Sequence, residues 1–254
     1  MATVRRWTRW LTAVITLTTC AVPSAGGEQG RPDHAAWDAL LKQYVNSAGQ
    51  VNYVQLKTAR AVLDGYLTEI AAIDPATLPR ADQLAFWVNA YNACVFKGVL
   101  DHYPVKSVKD VKGFFDAIRY QVGGASLTLN EIEANGRALG DWRIHFGVVC
   151  ASSSCPFLRG EAYVPDRVEA QLAEQAMRFL ADPARGLRLD GHVLWASKIF
   201  KWYAKDFVPN GPLTADALVA VLSPYVDAAH AQTLRRANLT LKFLDYDWSL
   251  NAQH

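Results

Sequence analysis

Three side chains raise the question of chemistry. Cys150 and Cys155 lie five residues apart in RIHFGVVCASSSCPFL, residues 143–158, and His145 stands upstream of both. A thiolate is a strong nucleophile, and an imidazole beside it commonly serves as its base. Pro156 predicts a helix start with Cys155 at or near the N-cap. Unpaired backbone N–H groups and the positive end of a dipole would there favour thiolate over thiol. The same spacing suits a disulfide that staples a small turn, worth about 2 kcal/mol by chain entropy. Cys155 as nucleophile and Cys150–Cys155 as staple are therefore the two readings. CxxxxC with one nearby histidine lacks a second pair of ligands at zinc spacing, so neither metal nor cofactor is expected. Cys94 reads as a small buried side chain.

Geometry restricts the pairing of sulfur and imidazole. Residues 143–150 predict a buried strand, on which His145 shares a face with Gly147 and Val149 while Cys150 points the other way. The two would be about 16 Å apart along an extended chain. Cys155 is the better partner, because the loop 151–154 can return it to either face. His192, near a hairpin expected around Asp190-Gly191, is a second source of imidazole. The competing reading makes His145 a buried histidine bonded to its neighbours.

Further polar groups surround this stretch in sequence. Asn89 and Asn92 are three apart on a helix expected from Asp82 to His102, so their amides share one side. They read either as catalytic amides, orienting an imidazole or receiving an oxyanion, or as ties to an adjacent loop. The stripe Leu84, Trp87, Tyr91, Val95 and Val99 reads as a buried face. Cys150, Ser153 and Ser154 in the turn are candidate substrate contacts, as are Trp202, Tyr203 and Asp206. Trp202 and Asp206 are i,i+4 neighbours suited to a cleft wall, with Tyr203 a quarter-turn away; aromatics there equally suit a core. Thr128 and Glu131 have capping-box spacing, which leaves Glu133 as a free carboxylate.

The elements that must position these groups are mostly helical. Apolar periodicity predicts helices around Trp37–Tyr44, Val62–Ile70, 166–181, 197–205 and 214–222. RYQVGGASLTL (119–129) reads as strand, Gly-Gly turn and strand, and GLRL and HVLW flank a second hairpin. LKFLDY (241–246) closes the list as a C-terminal strand. Helices do not alternate regularly with strands, so the class is α+β: one mostly helical domain on a small, largely antiparallel sheet.

The chain of 254 residues is 51% apolar and 20% charged, with a net charge of +2 and no long basic run. That balance argues against extensive disorder and against nucleic acid as a partner. Arg5, Arg6 and Arg9, an uncharged run from Trp10 to Val22 and small residues at 24–27 read as a signal peptide over 1–26. Cys20 after Thr19 fits a lipoprotein site poorly. A flexible segment 27–34 and a domain 35–254 would follow. The mature chain is expected in the periplasm or outside the cell, with no membrane span.

AFWVNAYNA (85–93), LTLNEIE (127–133), RIHFGVVCASSSCPFL (143–158), ASKIFKWYAKDF (196–207) and FLDYDWSLN (243–251) together resemble the DUF547 family. The likeness spans about 35–251 and implies the domain, not a reaction. The residues themselves lead to an exported thiol-dependent enzyme, or a binder of thiol-reactive ligands. It would act by acyl transfer or amide hydrolysis on a small-molecule or peptide-like ligand. The rival is a non-catalytic exported binding or scaffold domain held by the Cys150–Cys155 disulfide.

Overall fold

The computed structural model describes residues 30–227, 231–232, 234 and 238–253. The expected signal peptide lies outside them. Helices α1 (Ala35–Tyr44), α2 (Tyr53–Leu56) and α3 (Arg60–Ala71) surround α4 (Arg80–His102), the long central helix. Its stretch Leu84–Phe96 carries no charge and is buried throughout, as a helix apolar on every side must be. It starts after Pro79 and ends at His102, two residues before Pro104. Helix α5 (Leu129–Arg137) packs across it. Gly136 permits that approach, since a Cβ there would overlap Ile144 and press on Trp87. The capping box opens α5 as expected: the Thr128 N–H donates to Glu131 Oε2 at 2.7 Å, and the Glu131 N–H to Thr128 Oγ1 at 3.2 Å.

The strands form two separate small sheets. β1 (Arg119–Val122) and β2 (Ala125–Thr128) make the first hairpin. Gly123 and Gly124, with φ of +64° and +75°, supply the left-handed pair its two-residue turn requires. β3 (Leu187–Asp190) pairs antiparallel with β4 (Val193–Ala196), and β5 (Thr240–Phe243) adds in parallel to β4, Leu194 opposite Leu241. Helices α6 (Val168–Leu180), α7 (Lys198–Trp202), α8 (Ala204–Phe207) and α9 (Ala215–Leu222) complete the α+β body. Phe146, Phe179, Phe200 and Phe207 form an aromatic core among them. The helix expected over 197–205 is divided at Tyr203, the residue between α7 and α8.

Two expectations around the cysteines are corrected. Residues 143–150 are not a strand: Trp142–Phe146 is a 3-10 turn, begun by Asp141, whose Oδ1 accepts the Arg143 N–H at 3.0 Å. Beyond it the buried chain pairs with a side chain instead of a neighbouring strand. Asn92 Nδ2 donates to Gly147 O at 2.9 Å, and the Val149 N–H donates to Asn92 Oδ1 at 2.8 Å. No helix follows Pro156; the next one, α6, starts at Val168. Cys155 therefore has no helix dipole behind it. It sits in a turn whose N–H donates to Ser152 O at 3.2 Å.

Candidate functional site

The cysteine turn is held from both sides. Ala151 adopts φ +63°, a left-handed conformation uncommon for a residue with a Cβ. It folds the chain back, so both the Ser152 hydroxyl, at 3.1 Å, and the Ser152 N–H meet Cys150 Sγ. The C-terminal segment lies along the other side. Ser153 N–H donates to Ser249 O at 2.8 Å, Asp247 N–H to Ser154 Oγ at 2.8 Å, and Asn251 N–H to Ala151 O at 3.0 Å. Tyr246 from this segment brings its hydroxyl to 3.5 Å from Cys150 Sγ and 3.3 Å from Cys155 Sγ.

The two sulfurs are 2.6 Å apart and both cysteines are free, so the expected staple is absent from this structure. Their acidities diverge. Burial alone would raise the Cys150 thiol, but donors from Cys155, Ser152 and Tyr246 bring it down to about 7. Burial, and then the Cys150 sulfur beside it, push Cys155 well above the ordinary thiol range. The pair loses one proton readily and keeps the second. Cys150 is also the more exposed of the two, whereas Cys155 is 3% exposed. The direction of both shifts favours charge on Cys150, while the Cys150 N–H itself donates to Cys155 Sγ at 3.0 Å.

Both sulfurs face a cleft of about 470 Å³. Tyr91 and Glu133 line it, along with His145, Trp202, Tyr203, Tyr246 and Trp248. Trp202 is 47% exposed and stacks 5.9 Å from Trp248, with Tyr246 4.8 Å away, giving one aromatic wall.

Opposite the sulfurs is a second cluster, centred on His145. Its Nε2 lies 2.7 Å from Asp206 Oδ2, and its ring stacks on Tyr203 at 4.1 Å. Arg137 binds both Asp206 oxygens, at 2.6 and 2.9 Å, and covers the Tyr203 ring at 4.8 Å. The Arg137 hydrogen bonds hold the Asp206 carboxyl below its usual range, so Asp206 accepts from an Nε2–H. Burial outweighs the nearby carboxylate at the imidazole itself and lowers it to about 4. His145 is neutral at pH 7, with Nδ1 turned toward Glu133 Oε1 at 3.9 Å. Burial raises the Glu133 carboxyl despite a bond from Tyr203, and Oε1 is buried without a hydrogen-bond partner.

The remaining sequence candidates separate cleanly. Asn89 and Asn92 do not line the cleft. Asn89 Nδ2 donates to Tyr163 O at 2.8 Å and its Oδ1 accepts the Tyr163 N–H at 3.0 Å, so both amides are wholly spent on backbone. Ser153 and Ser154 bond to Ser249 and Asp247 and face away from the cleft; Ser152 is the turn's contributor. His192 is exposed on the β3–β4 turn and does not reach the site. Trp202 and Tyr203 line the cleft, and Asp206 supports His145 from behind. Five participants were not singled out as site residues: Tyr91, read as core, Arg137, Ser152, Tyr246 and Trp248. Glu133 was noted only as free. Among the described residues, no group of three or more His, Cys, Asp or Glu side chains could hold a metal ion. None of their helices is long and apolar enough to cross a membrane.

Fold and site define an α+β domain with a buried thiol pair and a carboxylate-bound imidazole in one cleft. Residues 75–180 match the family described as "Protein of unknown function, DUF547", which supports the resemblance carried by the motifs. The matched segment includes α4, α5, the cysteine turn and α6. No curated protein and no solved structure matches the chain.

Proposed function

We propose that this cleft is the active site of an exported thiol-dependent enzyme that transfers or hydrolyses an acyl group of a small-molecule or peptide-like substrate. The observation that carries the reading is the donor set around Cys150 Sγ, which makes a buried thiol acidic at the floor of an open cleft. Cys150 attacks a carbonyl carbon; Cys155 and Ser152 hold its charge before attack. Activation is by donors and not by imidazole, since His145 bonds to Asp206 instead of to either sulfur. Glu133, whose carboxyl pKa is raised by burial, and the Nδ1 of His145 are the groups beside the sulfurs that can pass a proton to the leaving group. Export is part of the proposal and rests on the order of charge, apolar run and small residues over 1–26.

The test is alkylation by iodoacetamide as a function of pH, with the modified residue mapped by mass spectrometry. The rate should be half-maximal near pH 7 and the adduct should sit on Cys150. A half-maximum near pH 9, or an adduct confined to Cys94 or Cys155, overturns the proposal.

A further inference from the structure

We infer that Tyr91 is the oxyanion donor of this cleft, its hydroxyl binding the carbonyl oxygen of the acyl group that Cys150 attacks. The inference rests on the acyl-transfer reading above and adds a residue that touches the reacting atoms. Tyr91 is 3% exposed and lines the cleft together with both cysteines and Glu133. Its hydroxyl has no hydrogen-bond partner among the described residues. That hydroxyl is not among the buried polar atoms left without a partner, so it opens into the cleft, where its O–H can reach a ligand atom. Burial, and then Glu133 and the two cysteines nearby, push its phenol well above the usual range, so it keeps its proton.

The backbone fixes its position relative to the sulfur. Asn92, the next residue on α4, accepts the N–H of Val149, the residue before Cys150. Donor and nucleophile are thus each one residue from a buried two-point pairing, and neither can drift without breaking it. Glu133 Oε1 also lacks a partner, but its carboxyl is bonded to Tyr203 and its oxygens act chiefly as acceptors, so it serves poorly as a fixed donor.

The step balances with p-nitrophenyl acetate as the acyl probe. A sulfur lone pair of Cys150 forms the C–S bond and the carbonyl π pair moves onto oxygen, where the Tyr91 O–H meets it. Collapse restores the carbonyl and breaks the C–O bond, and p-nitrophenolate leaves with the bonding pair. Iodoacetamide provides the contrast, because displacement of iodide at a saturated carbon creates no oxyanion.

The experiment compares both reagents on the wild-type protein and on Tyr91→Phe. Acylation, read as the p-nitrophenolate burst and as acetyl-Cys150 by intact mass, should slow about a hundredfold. Alkylation should stay within about twofold, since the substitution removes one oxygen and no donor of the thiolate. Incorporating 3-fluorotyrosine at position 91, of nearly the same shape and a stronger donor, should speed acylation alone. Equal slowing of both reagents, or acylation unchanged in Tyr91→Phe, overturns the role of Tyr91 and leaves the nucleophile in place. Absence of any acetyl-Cys150 from a wild-type protein that alkylates normally overturns the acyl-transfer reading, and the inference with it.

Discussion

The two walls of the cleft are similarly buried and ionise in opposite senses. On one, Cys150 receives N–H, O–H and S–H donors and is brought down to about 7. On the other, His145 bonds to the Asp206 carboxylate and is still lowered to about 4. Burial opposes charge in both places. The difference is how many groups favouring the charged form converge on the atom. Cys150 has several on its sulfur; His145 has one close carboxylate, already neutralised by Arg137. The number of groups favouring charge, set against burial, separates the two walls.

The sharpest way to break that contrast is to remove its charged member. Cys150→Ser should reduce iodoacetamide labelling of the native protein at pH 7 by at least about a hundredfold. Unchanged labelling, now on Cys155, would place the charge on the wrong sulfur. The imidazole side is tested through stability. Because His145 has a lower pKa folded than unfolded, the unfolded chain binds the extra proton between pH 6.5 and about 4. Stability should be complete above pH 6.5 and fall by about 3 kcal/mol as the pH drops to 4. His34 is lowered to about 4 as well and contributes in the same direction. Chemical denaturation of wild type and His145→Gln isolates the share of His145: the variant's acid limb should be about 3 kcal/mol shallower. Parallel limbs would show that His145 is not held neutral by the fold.

Two smaller effects refine the comparison. Asn92→Ala leaves Gly147 O and the Val149 N–H unpaired in the core and should cost about 2 kcal/mol, read as a lower Tm. It should also slow Cys150 labelling, whereas Asn89→Ala should lower Tm alone; identical labelling in both would disconnect α4 from the thiol. Cys155→Ala removes one donor from Cys150 and should move the labelling midpoint up by about one pH unit, about a fivefold loss at pH 7. A midpoint that stays near 7 would mean Ser152 and Tyr246 suffice.

Legibility in the sequence followed the range of the interaction that built each element. The capping box at Thr128–Glu131, the Gly123-Gly124 hairpin and the buried helix ending before Pro104 are local, and sequence reads them correctly. Residues 143–150 failed because an apolar run signals burial without saying what pairs its backbone. Here an asparagine amide from α4 takes the place of a neighbouring strand. The same amides were recognised as needing partners, yet the partner was backbone and not substrate. Pro156 misled in the other direction, since proline suits extended chain as well as a first helical turn. Tyr246 and Arg137 reach the site from elements about 96 and 69 residues away from their partners, at Cys150 and Asp206. No spacing rule reports such contacts. Tyr91 was hidden by its own stripe: helical periodicity marks a side chain as inward, and a cleft floor lies inward too.

The clamp that the C-terminal segment places on the cysteine turn has a consequence for biosynthesis. Cys150 is translated about a hundred residues before Tyr246, Asp247 and Ser249. Until that final stretch docks, the nascent sulfur lacks the Tyr246 hydroxyl and the support of its turn, and it carries a less acidic thiol. The turn around Cys150 is thus completed only when residues 246–251 dock against it.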